Sequence, residues 1–223
     1  RLMLQGISAE AISPHLAVNG LLLTIAPSAI GGDGGSILLG ARDIHLGGTG
    51  YAVETVVLDD GTEIPLANLL QQAVSAAATT RDDYILGSDL VETLQGGRGN
   101  DTLVGNDGGD TYLYARGDGI DVIQESFNVE PDVLRLTGIS AGQVLLRRGA
   151  GDNLEVVILE SAPGAGDGGR ITVVEGLYEY GRMGIEEIVF DDGTVWHRDS
   201  FGTRIAEAQA TPLNDRLVGS AAA

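Results

Sequence analysis

The sequence has no cysteine among its 223 residues, which excludes a disulfide-stapled scaffold and a zinc site built on thiolates. Aromatic residues are scarce at 4%, so the hydrophobic 43% must build its cores mainly from aliphatic side chains. Basic residues are outnumbered, 13 against 32 acidic, and the formal net charge is −19. A surface of that sign repels phosphate backbones and anionic headgroups, which argues for no nucleic acid partner and no direct membrane insertion. Long apolar runs are missing too. Nothing approaches the roughly 20 residues that span a bilayer, and Val156-Val157-Ile158-Leu159 reads as a short strand. Arg1-Leu2-Met3-Leu4 offers neither an initiator Met nor the apolar stretch of a signal peptide. The chain is expected to begin partway through a larger protein.

Catalytic signatures are also lacking. His15, His45 and His197 share no metal-ligand spacing, and no H-E-x-x-H, G-x-S-x-G or P-loop pattern occurs. Ser200, His197 and Asp199 stand too close in sequence for their side chains to converge, and Ser200 is expected to cap a helix N-terminus. The expectation is a protein that is not an enzyme, with no catalytic residue.

Two things are abundant: glycine and internal similarity. The 34 glycines are about twice the usual frequency and point to tight turns rather than long helices. Gly6-Ile7-Ser8-Ala9 returns as Gly138-Ile139-Ser140-Ala141, 132 residues later. Val53-Glu54 returns as Ile185-Glu186, Asp59-Asp60-Gly61-Thr62 as Asp191-Asp192-Gly193-Thr194, and Leu69 as Phe201, at the same offset. Asp33-Gly34-Gly35 answers Asp167-Gly168-Gly169 with a small drift. Asp83 and Leu86-Gly87-Ser88 answer Asp215 and Val218-Gly219-Ser220, so the last residues open a further block. These matches predict an all-β chain in which 1–77 and 126–212 are two copies of a β-rich module. Residues 78–125 form a distinct block between them, and 213–223 start the next such block. Each module is expected to end in a brief helix, near 66–77 and 200–210.

The central block carries the chemistry. Gly96-Gly97-Arg98-Gly99-Asn100-Asp101-Thr102-Leu103-Val104 fits G-G-x-G-x-D-x-U-x at every specified position, U being a large apolar residue. Gly105-Asn106-Asp107-Gly108-Gly109-Asp110-Thr111-Tyr112-Leu113 repeats it with one glycine lost, and Gly117-Asp118-Gly119-Ile120-Asp121-Val122-Ile123 follows after an insertion. Upstream units lose glycines but keep Glu92 and Asp83 at the acidic position. Six residues make a turn whose glycines take conformations closed to other residues, aiming carbonyls and a carboxylate into one cavity. Calcium takes six to eight such hard oxygens at about 2.3–2.6 Å. The remaining three residues form a strand with its central side chain inward, so Ile85, Leu94, Leu103, Tyr112 and Ile123 are expected to line a narrow core.

The spacing therefore predicts a short, calcium-stabilised parallel β-roll, with an ion between turns n and n+2. One edge stacks Asp83, Asp101 and Asp121, giving at most two sites; the other pairs Glu92 with Asp110. Gly96, Arg98, Gly99, Gly105, Asp107, Gly108, Gly117 and Gly119 complete the candidate metal set, as turn residues. The Glu92 turn, with Leu90 where the third glycine stands, suits an empty turn as well as a filled one. Clustered carboxylates repel one another, so binding and folding are expected to be coupled.

On these residues the block resembles the hemolysin-type calcium-binding repeats of repeats-in-toxin (RTX) proteins. The flanking modules resemble the related domain that accompanies such repeats. The marks are Tyr112-Leu113-Tyr114, Asp132-Val133-Leu134, Gly138-Ile139-Ser140 and Gly151-Asp152-Asn153-Leu154, then Ile185-Glu186-Glu187-Ile188-Val189-Phe190 and Asp192-Gly193-Thr194-Val195-Trp196. The first copy departs, with Ile64 for the Trp and Thr55 for the second Glu, and a looser core is expected there. The resemblance implies Ca2+ as the bound ion, a Gram-negative source and type I secretion. It further implies folding outside the cell and a structural role beside an active domain located elsewhere. Two other functions stay open: a self-assembling unit of a filament or surface layer, with copies of this chain or neighbouring repeats as partners, and a carbohydrate-binding module using Tyr178, Tyr180 and Trp196. The Asp-Gly-Thr segments read as hairpin turns, the Gly-Asp-Gly-Gly segments at 32–35 and 166–169 as hairpin tips, and Trp196 as a core residue.

Overall fold

A computed structural model describes residues 1–17, 20–27, 34–40, 53–127, 129–178 and 183–209. The expectations placed on Asp33, His45, Tyr180 and residues 213–223 lie outside these. The described chain is mostly strand, with two helices of eight or more residues and no closed barrel. It divides into two compact units, residues 1–77 with 88–90, and 78–87 with 91 onward.

In the first unit, β2 (Ile12–Ala17), β3 (Gly20–Ile25) and β4 (Gly35–Gly40) form an antiparallel sheet, while β1 (Leu2–Leu4) pairs parallel with β5 (Thr55–Leu58), which turns back into β6 (Glu63–Pro65). Alternation along β3 buries Leu21 and Leu23 on one face. The helix α1 (Leu66–Ala77) starts directly after Pro65, and Leu66, Leu69, Leu70, Ala73 and Val74 make its buried stripe at helical spacing. The first four of these join Leu4, Val56 and Leu58 in one cluster. Leu90 packs against that cluster too, so its place in the chain is a core position and not a degraded glycine.

The second unit is built from two parallel stacks. Strands β7 (Tyr84–Leu86), β9 (Thr102–Val104) and β11 (Ile120–Gln124) pair in order, and β15 (Gly169–Val173) extends them. Strands β8 (Thr93–Gln95), β10 (Thr111–Ala115) and β12 (Val133–Thr137) do likewise, extended by β16 (Glu187–Phe190). From β7 to β12 successive strands thus alternate between sheets, and β7, β8, β9 and β10 each pair with the strand two further on. The register stacks Ile85, Leu103, Ile123 and Val173 in one column and Leu94, Tyr112, Leu134 and Ile188 in the other. All eight are buried, including the five inward residues expected from the nonapeptide. Leu103, Ile123 and Ile171 from one sheet and Tyr112 and Leu134 from the other line a shared interior.

Antiparallel strands complete the unit: β13 (Val144–Arg148) and β14 (Leu154–Ile158) edge the first sheet, and β17 (Val195–His197) the second. Trp196 is buried, its ring 4.6 Å from Phe190 and capped by the Arg204 guanidinium at 3.9 Å. Its counterpart Ile64 is half-buried against the first unit's cluster. Each unit carries the same parallel pair, Leu2 opposite Val56 and Leu134 opposite Ile188. Each also carries the same turn, with Asp60 accepting from the Thr62 amide at 2.8 Å and Asp192 from that of Thr194 at 2.9 Å. Ser200 departs from its expected role. It lies within a 3-10 turn (Arg198–Ser200) whose N-cap is His197 and which runs directly into the helix α2 (Phe201–Gln209), and its hydroxyl donates to the His197 carbonyl at 2.7 Å.

Candidate metal centre

Strands β7, β8, β9, β10, β12 and β16 are each preceded by an acid, Asp121 is the second residue of β11, and the parallel pairing stacks these acids along the two edges of the unit. On the first edge the Asp83 amide donates to Asp101 Oδ1 at 2.8 Å, and the Asp101 amide to Asp121 Oδ1 at 3.0 Å. On the second edge the Glu92 amide donates to Asp110 Oδ1 at 2.8 Å and the Asp110 amide to Asp132 Oδ1 at 2.8 Å. The Asp132 amide then donates to Glu186 Oε2 at 2.9 Å. Their carbonyls are used as well: Asp83, Asp101, Glu92 and Asp110 accept from the amides of Thr102, Val122, Thr111 and Val133 at 2.8–2.9 Å. Every acid except the last of each ladder, Asp121 and Glu186, is therefore held through its own amide by one carboxylate oxygen of its successor.

The first edge has a second ladder one residue earlier. Asp82 Oδ1 accepts from the Asn100 amide at 2.8 Å, and Asn100 Oδ1 from the Ile120 amide at 3.1 Å. Gly99 and Gly119 make a parallel bridge at left-handed φ values of 143° and 123°. A Cβ on either would fall on the carbonyl of the turn before, so these turns stack only with glycine there. Asp118 is buried; its carboxylate accepts from the Ala115 amide at 2.7 Å and its carbonyl from Gly99 at 2.8 Å.

The acids expected on one edge, Asp83, Asp101 and Asp121, do fall together, as do Glu92 and Asp110 on the other. Gly96 and Gly105 are buried directly beneath Asp101 Oδ2 and Asp110 Oδ2, where a Cβ would collide with the carboxylate. Arg98, Asp107 and Gly117 are exposed; Arg98 and Gly117 could offer an ion a backbone carbonyl, and Asp107 a carbonyl or its carboxylate. Gly108 is half-buried in the second-edge turn with φ at 111°. Asp83 differs from its neighbours: its carboxylate closes its own turn, accepting from the Thr79 amide at 2.6 Å and the Thr79 hydroxyl at 2.9 Å.

Hard oxygens remain over. Asp101 Oδ2, Asp110 Oδ2 and Glu125 Oε2 are buried and accept no hydrogen bond. Burial pushes the Asp110 carboxyl up to about 7, against the Glu92 amide that pulls it down, and the Glu92 and Asp132 charges add to the rise. Asp121 is likewise raised to about 7 by burial, with the Asp101 amide opposing. Asp101 is raised by burial foremost. Glu125 reaches about 9, through burial first, then countered by the Tyr112 phenol that donates to its Oε1. Desolvated, unpaired carboxylate oxygens are costly. The donor set fits calcium, which prefers oxygen and tolerates a mixture of carboxylates and carbonyls.

Three members of the second edge escaped the sequence reading of the site: Glu125, Asp132 and Glu186. Asp132-Val133-Leu134 and Glu186-Glu187-Ile188 each keep the acid-x-U tail of the nonapeptide. That tail was the available signal, hidden because no glycine turn precedes it. Glu186 also meets the Arg198 guanidinium at 3.7 Å, and Arg198 donates to the Met183 and Ile185 carbonyls at 2.7 and 3.2 Å.

Residues 153–200, which include Glu186, Trp196 and Arg198, match the haemolysin-type calcium binding protein related domain. The match points to a calcium-binding structural domain of RTX-like type and not to an enzyme family. No curated protein matches the chain. Among the described residues no helix is long and apolar enough to cross a membrane.

Proposed function

We propose that this chain is a calcium-binding structural segment of a secreted RTX-type protein, and that its two parallel stacks form a β-roll that calcium holds closed. The observation that carries this reading is the pair of acid ladders with buried, unshared oxygens at Asp101 and Asp110. On the first edge Asp101 and Asp121 would hold an ion with turn carbonyls from Gly96, Arg98, Gly99, Gly117 and Gly119. Asp83, already engaged with Thr79, would contribute less. On the second edge Asp110 would act with Glu92 and the carbonyls of Gly105, Asp107 and Gly108. In this reading residues 78–125 are the roll, and 1–77 and 126–212 are flanking modules of a tandem array whose period is 132 residues.

Physically, the ion supplies the charge that the chain lacks. Stacked carboxylates repel at about 4 kcal/mol per close unit pair for an effective dielectric near 20, and a bound cation reverses that sign. A chain kept open in a calcium-poor cytosol would pass an exporter unfolded and close outside, where calcium is millimolar. It would then serve as a spacer or folding driver for a neighbouring domain.

The test is calcium titration followed by far-UV circular dichroism. In excess chelator the strand signal should fall and stoichiometric calcium should restore it. A chain equally ordered with and without chelator would end the proposal.

A further inference from the structure

The turn between β11 and β12 on the second edge does not follow the nonapeptide. Residues 125–132 carry no glycine, and Glu125 stands where Gly96 and Gly105 stand in their own turns, directly after the strand. Its side chain turns inward. Tyr112, buried in the core column below, donates its phenol to Glu125 Oε1, which leaves Oε2 buried without a partner. One carboxylate oxygen each from Asp110, Glu125 and Asp132 lie within 4.8 Å of one another. Asp110 is 0% exposed and its Oδ2 accepts nothing, although its Oδ1 is occupied by the Glu92 amide. The α-carbon of Gly105 forms the floor: a Cβ there would collide with Asp110 Oδ2, Glu125 Oε1 and the Tyr112 hydroxyl together.

We propose that Asp110, Glu125 and Asp132 form a further divalent-cation site on the second edge, sharing Asp110 with the site toward Glu92, in which Glu125 supplies a ligand that the turn repeat itself lacks. Two oxygens bound to one calcium ion lie no more than about 4.6–5.2 Å apart at its usual bond lengths, and the three carboxylate oxygens fall within that limit. Three carboxylates outweigh a divalent charge, so the site should favour calcium and trivalent lanthanides over monovalent ions. The buried Tyr112 ring at its wall supplies an antenna for a luminescent ion. Tyr114 lies at the other end of the same strand, its hydroxyl on the Gly119 carbonyl of the first edge at 2.8 Å.

This inference rests on the calcium-binding reading but adds one site to it, so the two can fail separately. Ion count by native mass spectrometry at saturating calcium is compared for the intact chain and Glu125→Gln, which keeps size and the acceptor for Tyr112. The expected result is one ion fewer, or one class of site weakened at least tenfold, with the remaining sites unchanged. Terbium emission excited through tyrosine gives a second readout. Tyr112→Phe should remove the sensitised emission of one site and Tyr114→Phe should not remove that same component. If Glu125→Gln retained every ion at unchanged affinity, or Tyr112→Phe left the emission intact, the site would not exist. No ions on the intact chain would overturn this site together with the calcium-binding reading; ions on the intact chain and an unaffected Glu125→Gln would overturn this site alone.

Discussion

The two edges of the parallel stack solve one problem with different means. The first edge is held by short glycine turns: Gly99 bridges Gly119, Asp82 and Asn100 add a second ladder, and the acids recur at separations of 18 and 20 residues. The second edge keeps its ladder while the separations grow to 18, 22 and 54 residues, and its last turns contain none of the six-residue glycine pattern. Glycine is therefore a requirement of the short turn and not of the stack. What persists on both edges is an acid followed two residues later by an inward apolar side chain. The acid holds the backbone above it, and the apolar residue extends the column. On the second edge Glu125 adds a further carboxylate beside Asp110 and Asp132, and the Arg198 guanidinium meets Glu186 at its end.

The largest expected contrast comes from truncating one acid on each edge. Asp110→Ala leaves the buried Glu92 amide without its acceptor, removes an unshared oxygen, and interrupts a ladder of four acids. An orphaned buried donor alone costs about 1–3 kcal/mol, so the calcium midpoint should rise at least tenfold, with strand content lost at limiting calcium. Asp101→Ala orphans the Asp83 amide in the same way, but that edge retains the Asp82–Asn100 ladder. Its shift should be severalfold smaller. Asp110→Asn separates the two causes: it keeps an acceptor for the Glu92 amide and loses the charge, so stability in chelator should recover while calcium response does not. Equal shifts for the two alanine variants would remove the distinction between edges.

Acidity should separate the edges by a smaller amount. In the metal-free chain Asp110 and Asp121 are raised to about 7 and Glu125 to about 9, mainly by burial, from ordinary values of 3.8 and 4.5. The folded state therefore binds more protons than the unfolded one above those ordinary values. By linkage the metal-free fold loses stability as pH rises, through about 7 for the two aspartates and on to about 9 for Glu125. Calcium binds the ionised forms, so its affinity should rise over the same windows. The first edge should level off just above pH 7 and the second continue to gain toward pH 9. Calcium titrations at several pH values, with Glu125→Gln as the reference, read this directly. A single plateau near pH 7 for both classes of site would contradict the assignment of Glu125 to the second edge.

Much of the fold could be read ahead because one signal repeats. The period of nine between Ile85, Leu94, Leu103 and Tyr112 places each of these U residues in one of two columns, and the same spacing, with a two-residue insertion before Asp121, brings Asp83, Asp101 and Asp121 to one edge. Reading stopped at Ile123 because the turn pattern stops there. Asp132 and Glu186 continue the ladder through pairing of β12 with β10 and β16, and that register is set by columns of apolar contacts across a long excursion of the chain. Local spacing carries no such information. Glu125 was hidden for a different reason: at a position defined by glycine, a glutamate reads as a lost match, although its side chain occupies the space beneath Asp110. Leu90 taught the same lesson in reverse, since its mismatch in the turn serves the first unit's core.

The smallest expected effect lies where the second ladder ends. Arg198 is held by the Met183 and Ile185 carbonyls and faces Glu186 at 3.7 Å, while Glu186 Oε2 accepts the Asp132 amide. A guanidinium placed there supplies permanently the positive charge that an ion supplies elsewhere, and it cannot be removed by chelator. Arg198→Met keeps much of the apolar stem and removes that charge. Half-buried pairs of this kind contribute modestly, on the order of 1 kcal/mol, and the two carbonyls would regain water. Stability in chelator should fall by a few degrees in Tm, whereas the first edge's calcium midpoint should stay fixed. If the ladder is electrostatically continuous, excess calcium should restore most of the lost stability by taking up charge around Asp132 and Glu186. A variant as stable as the parent in chelator would mean that Arg198 packs without neutralising, and that the second edge ends by shape alone.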